Sequence, residues 1–393
     1  MGDNNNNNNN NNNSVTVVTI LNAIRSTATD AYQSTVPLAT AENFVHVGNA
    51  VLEAPEQIQN EFFNALLNKI GLQIFNDKEF GNPLLFLKKG TLEYGQTIED
   101  IFVEMATPFD YITGTRADES PPDQFAINKA IVDTAFYYQI LGRQYFKTIH
   151  EQDLKRAFMS ADGLGRLVSS VMLSMKNGAS YDDYRMAIAI MARQIEASMS
   201  NDDWNGHIEL ISLYNASVEE DEEVTVEDCL SNRNFLQFMS NQFKKWSNRL
   251  TKPRKDMNNA GVTNWIPKEQ QRIMMLGDIQ ADIDTNLMAW AYNNNRLEIG
   301  AIDEIDAWYS IGMSTAGSTV SADDIAVKGE LGLEGDIPVV AVIYDPDMIK
   351  IYNKTNRMTS AINARGLYTN TFHTLEDIFA CSPFHNFVVF SLS

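Results

Sequence analysis

The sequence predicts an α+β protein of two to three domains, and three observations point there. Leu164, Leu167, Val168, Val171, Met172 and Met175 fall at i, i+3, i+4, i+7, i+8 and i+11, the continuous apolar stripe of an amphipathic helix. Short runs such as Ile337–Tyr344 (IPVVAVIY) and Phe387–Leu392 (FVVFSL) read as strands, the first so apolar that it is expected to be buried on both faces. Between them in kind, Gly81–Tyr111 mixes β-branched, aromatic and acidic side chains between glycine and proline punctuation. A length of 393 residues is enough for a substantial core, at roughly 100 to 200 residues per domain.

The stretch Gly81–Tyr111 organises the rest. An apolar run (Leu84, Leu85, Phe86, Leu87) meets Lys88-Lys89-Gly90, a polar, glycine-bearing reversal. A second extended segment carries Tyr94, Ile98, Phe102 and Met105, interleaved with Glu93, Glu99, Asp100 and Glu104. The pattern reads as two strands joined by a turn. At about 3.3 Å per residue, arms of roughly ten residues project some 30 Å. A two-stranded ribbon is marginal alone in water, so its apolar side chains need a surface to lie against.

The segment Glu93–Tyr111, EYGQTIEDIFVEMATPFDY, resembles the extended-loop segment of major capsid proteins from small tailed phages, podoviruses of the picovirus type. That family is similar to the wider Hong Kong 97-type capsid class. The resemblance implies that fold: an N-terminal arm with an Asn-rich tail and helices (1–80), an extended β-hairpin loop (81–115), a peripheral domain with a long spine helix (116–200), a mainly axial domain (201–340), and returning strands (341–393). It also implies that the ribbon lies across the next subunit through Leu84, Phe86, Lys88, Lys89, Glu93, Tyr94, Ile98, Glu99 and Phe102, the lysines pairing with carboxylates there. The arm is expected to embrace a neighbour as well. On this reading the protein self-assembles into pentamers and hexamers of an icosahedral head around double-stranded DNA, without catalysis, cofactor or metal. It resides in the virion after assembly in the host cytoplasm, with a portal, other virion proteins and a separate scaffolding protein as partners.

Taken in order, Met1-Gly2-Asp3 precedes ten consecutive asparagines, Asn4–Asn13. Such a tract buries no apolar surface and reads as a disordered low-complexity tail, or alternatively as an arm that orders only along neighbouring subunits. Val15–Tyr32 and Ala41–Leu52 read as partly helical. Pro55 suits a helix first turn, and Ile58, Phe62, Leu66 and Ile70 then recur every four residues before Gly71. Thr113–Asp123 is a loop, since Pro121-Pro122 forbids helix. Ala130–Ile149 reads as one long strand, or two with a bulge at Gly142. The striped helix starts at Ser160 or Asp162 and is expected to end at Asn177-Gly178; by resemblance Asp162–Met175 is the spine. A second helix follows from Ser180, with Asp183 three residues on, to about Met199.

A change of texture at Asn201 marks a domain boundary. His207–Tyr214 (HIELISLY) reads as a strand, and the acidic run from Ser217 to Asp228 as a solvated loop that opens a helix. That helix carries Leu236, Met239, Phe243, Trp246 and Leu250, ends in a basic cluster (Lys244, Lys245, Arg249, Lys252, Arg254 and Lys255), and is stopped by Pro253. These cations have three readings: a complement to the helix C-terminus, a nucleic-acid contact, or a partner for acidic 219–223 on another copy. Asn258–Pro267 is a loop, Ile279–Tyr292 a helix, Ile302–Tyr309 a strand, and Gly312–Glu334 mostly loop. Asp345-Pro346 starts a short helix through Ile351.

Composition narrows the function. Lys+Arg number 30 against 51 Asp+Glu, a net charge of −21, which weighs against a dedicated nucleic-acid binder, because phosphate neutralisation drives such affinity. Cys229 and Cys381 exclude a disulfide scaffold and fit a reducing site of folding. No run of about 18 uncharged apolar residues spans a membrane. Asp278, Asp282 and Asp284 offer oxygen ligands to Mg²⁺, but on a helix the third does not share a face with both others. The five histidines lack metal spacing, and no nucleophile motif or phosphate loop occurs. The rival readings are therefore a metal-dependent hydrolase built on those three aspartates, or an acidic scaffold or adaptor.

Overall fold

The computed structural model describes residues 17–40, 42–70, 78–93, 97–106, 129–137, 140–158, 163–283, 301–309, 330–331 and 337–393. Its N-terminal helices form where apolar residues recur at helical spacing: α1 (Val17–Thr27), α2 (Asp30–Thr35), α3 (Phe44–Leu52) and α4 (Glu56–Ile70). The Thr29 hydroxyl caps α2 by accepting from the Tyr32 N–H, and Pro55 precedes α4, where its missing N–H costs nothing. Ile20, Ile24, Tyr32, Val51, Phe62 and Leu66 close into one core. The helices expected in the N-terminal segment thus pack into one cluster. The asparagine tract lies outside the described residues.

The remaining elements are β1 (Lys88–Thr91), β2 (Ile98–Val103), β3 (Val132–Tyr137), β4 (Ile140–His150), α5 (Glu151–Phe158), α6 (Gly163–Met199), β5 (His207–Glu209), α7 (Leu210–Asn215), α8 (Arg233–Leu250), β6 (Arg272–Leu276), β7 (Ala301–Ile305), β8 (Glu330–Leu331), β9 (Ile337–Tyr344), β10 (Ile349–Asn363), β11 (Tyr368–Cys381) and β12 (Val388–Ser391). The chain divides into two units. One holds Met1–Gly81, Arg143–Tyr181 and Thr355–Leu375; the other holds Asn82–Gly142, Asp182–Lys354 and Glu376–Ser393. Boundaries between the two fall inside β4, α6, β10 and β11.

In the first unit the helical cluster extends through Ile149, Leu154, Val168 and Met172. Neighbouring strands β4 and β11 match side chains across the ladder: Gln144 donates to Thr374 (2.9 Å), Phe146 faces Phe372, and Thr148 donates to Asn370 (2.7 Å). The second unit is built on a sheet of order β5-β12-β9-β6-β7, with β8 paired to β9. β9 is antiparallel to both β12 and β6, and Val339 to Tyr344 are buried as the run IPVVAVIY requires. Phe243 of α8 packs edge-on to Phe390 of β12 at 4.6 Å, inside a core that also holds Phe235, Met239, Ile273 and Ile343.

Several elements differ from expectation, each for a local reason. The two helices predicted around Asn177-Gly178 are one helix of 37 residues, α6. Asn177 does not cap: its amide donates to the Lys78 carbonyl (3.1 Å) and its oxygen accepts from the Phe80 N–H (3.0 Å). Gly178 has no positive φ, and a Cβ there would meet the Tyr145 ring at 3.5 Å. HIELISLY turns from β5 into α7 after three residues. α8 is capped by the Asn232 side chain, which accepts from the Asn234 and Phe235 N–H groups, and has no acid in its first turn. Asp345 caps a 3₁₀ turn, Pro346–Met348, that passes at once into β10. Within Ala130–Ile149 the described strands are β3 and β4, and Gly142 lies within the second. The loop at 113–123, residues 284–292 of the predicted helix, and most of 312–334 lie outside the described residues.

Because Gly178 sits in a helix interior with room for a methyl group, Gly178→Ala should stabilise the chain by about 0.5 to 1 kcal/mol. Urea unfolding checks this. A loss of stability would mean that the helix is not continuous there.

Candidate functional site

The expected ribbon exists, with different arms. β2 pairs antiparallel with β3 in the register Ile98↔Tyr137 through Val103↔Val132, not with Leu84–Leu87. The latter residues form a 3₁₀ turn, Leu85–Leu87, with Leu84 and Leu87 buried. Lys88-Lys89-Gly90 is not a reversal either. It forms β1, which runs parallel to β10, and its register shifts between Lys88 and Gly90. The glycine, at φ 152°, serves a bulge instead of a turn.

This placement settles the nearby side chains. The Phe86 ring lies 4.0 Å under the Arg272 guanidinium. Lys88 donates to Asp183 of α6 (3.1 Å) and stands 3.6 Å from the fully buried Asp377 of β11. Lys89 donates to Asp347 (2.6 Å). The two lysines therefore meet carboxylates of their own chain, because β1 is a strand of its own sheet. Glu93 and Glu99 are exposed, and Tyr94 lies outside the described residues.

Cross-strand partners share a face, so the register divides the β2–β3 ribbon into two surfaces. On one, Ile98, Asp100, Phe102 and Glu104 turn toward their own unit. Phe102 stacks on Phe384 with ring centres 5.8 Å apart. The Asp100 carboxylate accepts from Ser382 (2.6 Å) and Tyr137 (3.3 Å), with Lys350 at 3.9 Å. Glu104 accepts from Thr263 (3.1 Å) and pairs with Lys255, whose hydrogen bond holds its carboxyl below the usual range. Burial first, then Asp100, pushes the Tyr137 hydroxyl well above its ordinary value.

The opposite surface is apolar and uncovered. Phe136 is 59% exposed, Ile101 57%, Val103 55%, Val132 50%, and Met105 at the end of the face 48%. Sequence reasoning chose Ile98 and Phe102, which belong to the covered face. It missed Phe136 and Val132 because their strand was not recognised as the partner. The alternation of Ile101 and Val103 with Asp100 and Glu104 was the available signal.

Of the other candidate constellation, Asp278 and Asp282 lie within helical residues 277–283 and Asp284 is outside the described residues; among those described no group of three or more His, Cys, Asp or Glu is arranged to hold a metal ion. No described helix is long and apolar enough to cross a membrane.

In the capsid structure of Staphylococcus phage Andhra the same fold recurs over 82% of this chain and 87% of that one, at 11% identity and a TM-score of 0.55. The capsid structure of Cyanophage P-SCSP1u matches over 81% and 90%, at 12% identity and a TM-score of 0.52. The fold is thus the Hong Kong 97-type fold of phage capsids. The pattern of the Phi29-like phage major capsid protein family matches residues 21–391, and the chain belongs to that family. The major capsid protein of Bacillus phage PZA is 26% identical over 374 residues, 94% of this chain and 72% of that protein. That of Streptococcus phage Cp-1 is 25% identical over 373 residues, 94% of this chain and 92% of that protein. The protein is accordingly a structural, shell-forming component of a phage virion.

Asp100 anchors the covered face of the ribbon. Asp100→Ala leaves Ser382 and Tyr137 without their acceptor, at a cost of about 1 to 3 kcal/mol. Hydrogen exchange at residues 98–103 should rise while the helical circular dichroism holds. Unchanged exchange would show that the apolar contacts alone dock the ribbon.

Proposed function

We propose that the chain builds an icosahedral head from pentamers and hexamers of itself, with the β2–β3 ribbon lying across the next copy. The observation that carries this is the division of the ribbon into one face tied to its own unit and one apolar face left uncovered. Contiguous exposed apolar surface marks an interaction site. Each such side chain contributes about 1.5 to 3 kcal/mol when fully buried, before the ordering costs of association. Obligate interfaces bury roughly 2,000 to 5,000 Å², so the ribbon is one part of a larger contact. Repeated around a ring, such a contact is heterologous and closes on itself.

The expected extended loop moves on this reading from 81–115 to the segment that includes Ile98–Val103 and Val132–Tyr137. Of the sequence-selected contacts, Glu99 remains on the outward face; Leu84, Phe86, Lys88, Lys89, Ile98 and Phe102 act by holding the ribbon's base within its own chain. The net charge of −21 supports a wall that encloses double-stranded DNA without binding it specifically. The role is structural and not catalytic, with a separate scaffolding protein, a portal and other virion proteins as partners. Assembly takes place in the host cytoplasm, which the two free cysteines support.

An adaptor that binds partners without forming a shell is the remaining contrast, and one pair of substitutions separates the two. Ile101→Asp combined with Phe136→Asp should leave a folded, soluble protein that gives no shell-sized particles on sedimentation or in electron micrographs. Heads of normal size and number from that variant reject the ribbon as the inter-subunit contact.

A further inference from the structure

The shell reading leaves one charged pattern unexplained, and it lies along α8. Lys244, Lys245 and Lys252 are exposed at its C-terminal end, and the Arg249 guanidinium lies 4.5 Å over the Trp246 ring. The Ile266 N–H donates to the Leu250 carbonyl (2.8 Å), which seats Trp265, 42% exposed, beside the same end. In so acidic a chain this is a cationic patch with an aromatic centre. The helix macrodipole does not account for it, since its effect falls off within the last turn and only Arg249 of these cations lies there.

At the other end stand the opposite charges. Glu219, Glu220, Asp221, Glu222 and Glu223 are all exposed, and among the described residues none has an ion-pair partner. Their loop is nevertheless held in one shape. The Asn215 amide donates to the Val224 carbonyl and its oxygen accepts from the Val224 N–H, both at 3.0 Å. Val224 itself is buried, while Val226 stands 54% exposed among the acids. Tyr214, next to the clamp, meets Phe235 and Phe238 at 5.4 Å, which fixes the loop against the first turns of α8. A merely solvated loop has no need of such anchoring; a contact surface gains affinity from it, because less order remains to be imposed on binding.

The helix holds the two poles apart. From its first residue, Arg233, to Lys244 and Lys245 it rises about 17 to 18 Å at 1.5 Å per residue, beyond the screening length of about 8 Å at physiological salt. The poles therefore do not neutralise each other within one copy. Placed at opposite ends of one rod, they suit a head-to-tail contact between identical chains, the kind that closes rings.

We propose that the acidic loop around 219–226 of one copy seats on the Lys244, Lys245, Lys252 and Trp265 surface of the next, with Val226 against the aromatic centre. This contact rests on the shell reading above and deepens it by naming a second interface that sets register and speeds encounter. Two reversals test it: Lys244→Glu with Lys245→Glu, and Glu219→Lys with Glu220→Lys. Each alone should slow shell formation at low salt by about tenfold, followed by light scattering. A one-to-one mixture of the two variants should recover part of the rate, because the loop of each then meets an opposite charge on the other; both reversals in one chain should restore the rate to within roughly threefold, and added salt should shrink every difference. Lys244→Gln with Lys245→Gln, a milder change, should slow assembly less and guards against a misfolded reversal. The contact is overturned if the lysine variants assemble at the wild-type rate, if the combined reversal is no faster than either alone, or if lysine loss depletes only packaged DNA. Wild-type protein that forms no particles overturns the shell reading itself, and the contact with it.

Discussion

A two-stranded ribbon has two faces, and its own chain can cover only one of them. That constraint governs this protein. The β2–β3 ribbon gives one face to Phe384, Ser382 and Thr263, which fixes its direction and register. The other face then presents Ile101, Val103 and Phe136 to whatever lies beyond. A one-residue slip would exchange the two sets and turn Asp100 and Glu104 outward in their place. The hydrogen bonds to Asp100 are thus as important to the outward face as to the inward one, although they touch only the latter.

The base of the ribbon shows how polar groups serve the same end. Lys88 joins β1 to α6 and β11 through Asp183 and Asp377, and Phe86 lies under Arg272. Arg272 in turn makes a bidentate pair with Asp303, which also accepts from Tyr344 (2.8 Å). Burial and that carboxylate keep the Tyr344 hydroxyl protonated. Each of these charges thus has an assigned partner, the condition under which buried charge is tolerated.

Much of this was legible in the residues. The apolar stripe around Leu164–Met175, the buried run at Ile337–Tyr344 and the amphipathic pattern of Leu236–Leu250 became α6, β9 and α8, because periodicity reports directly on which side chains face a core. Partnership was not legible. Which strand Ile98–Val103 joins depends on residues some 30 positions away, and no local pattern encodes that choice. Punctuation also misled: Asn177-Gly178 and Lys88-Lys89-Gly90 look like stops, yet the former serves packing within a helix and the latter a bulge within a strand. Local propensity yields where tertiary contacts supply the missing hydrogen bonds.

The division of the chain carries a consequence for its synthesis. β12, near residue 390, inserts between β5 and β9, and the first unit needs Thr355–Leu375. Neither body can be finished while the ribosome still holds the chain upstream of those points. A prematurely ended copy therefore lacks an interior strand of the β5-β12-β9-β6-β7 sheet and cannot close the core built on it.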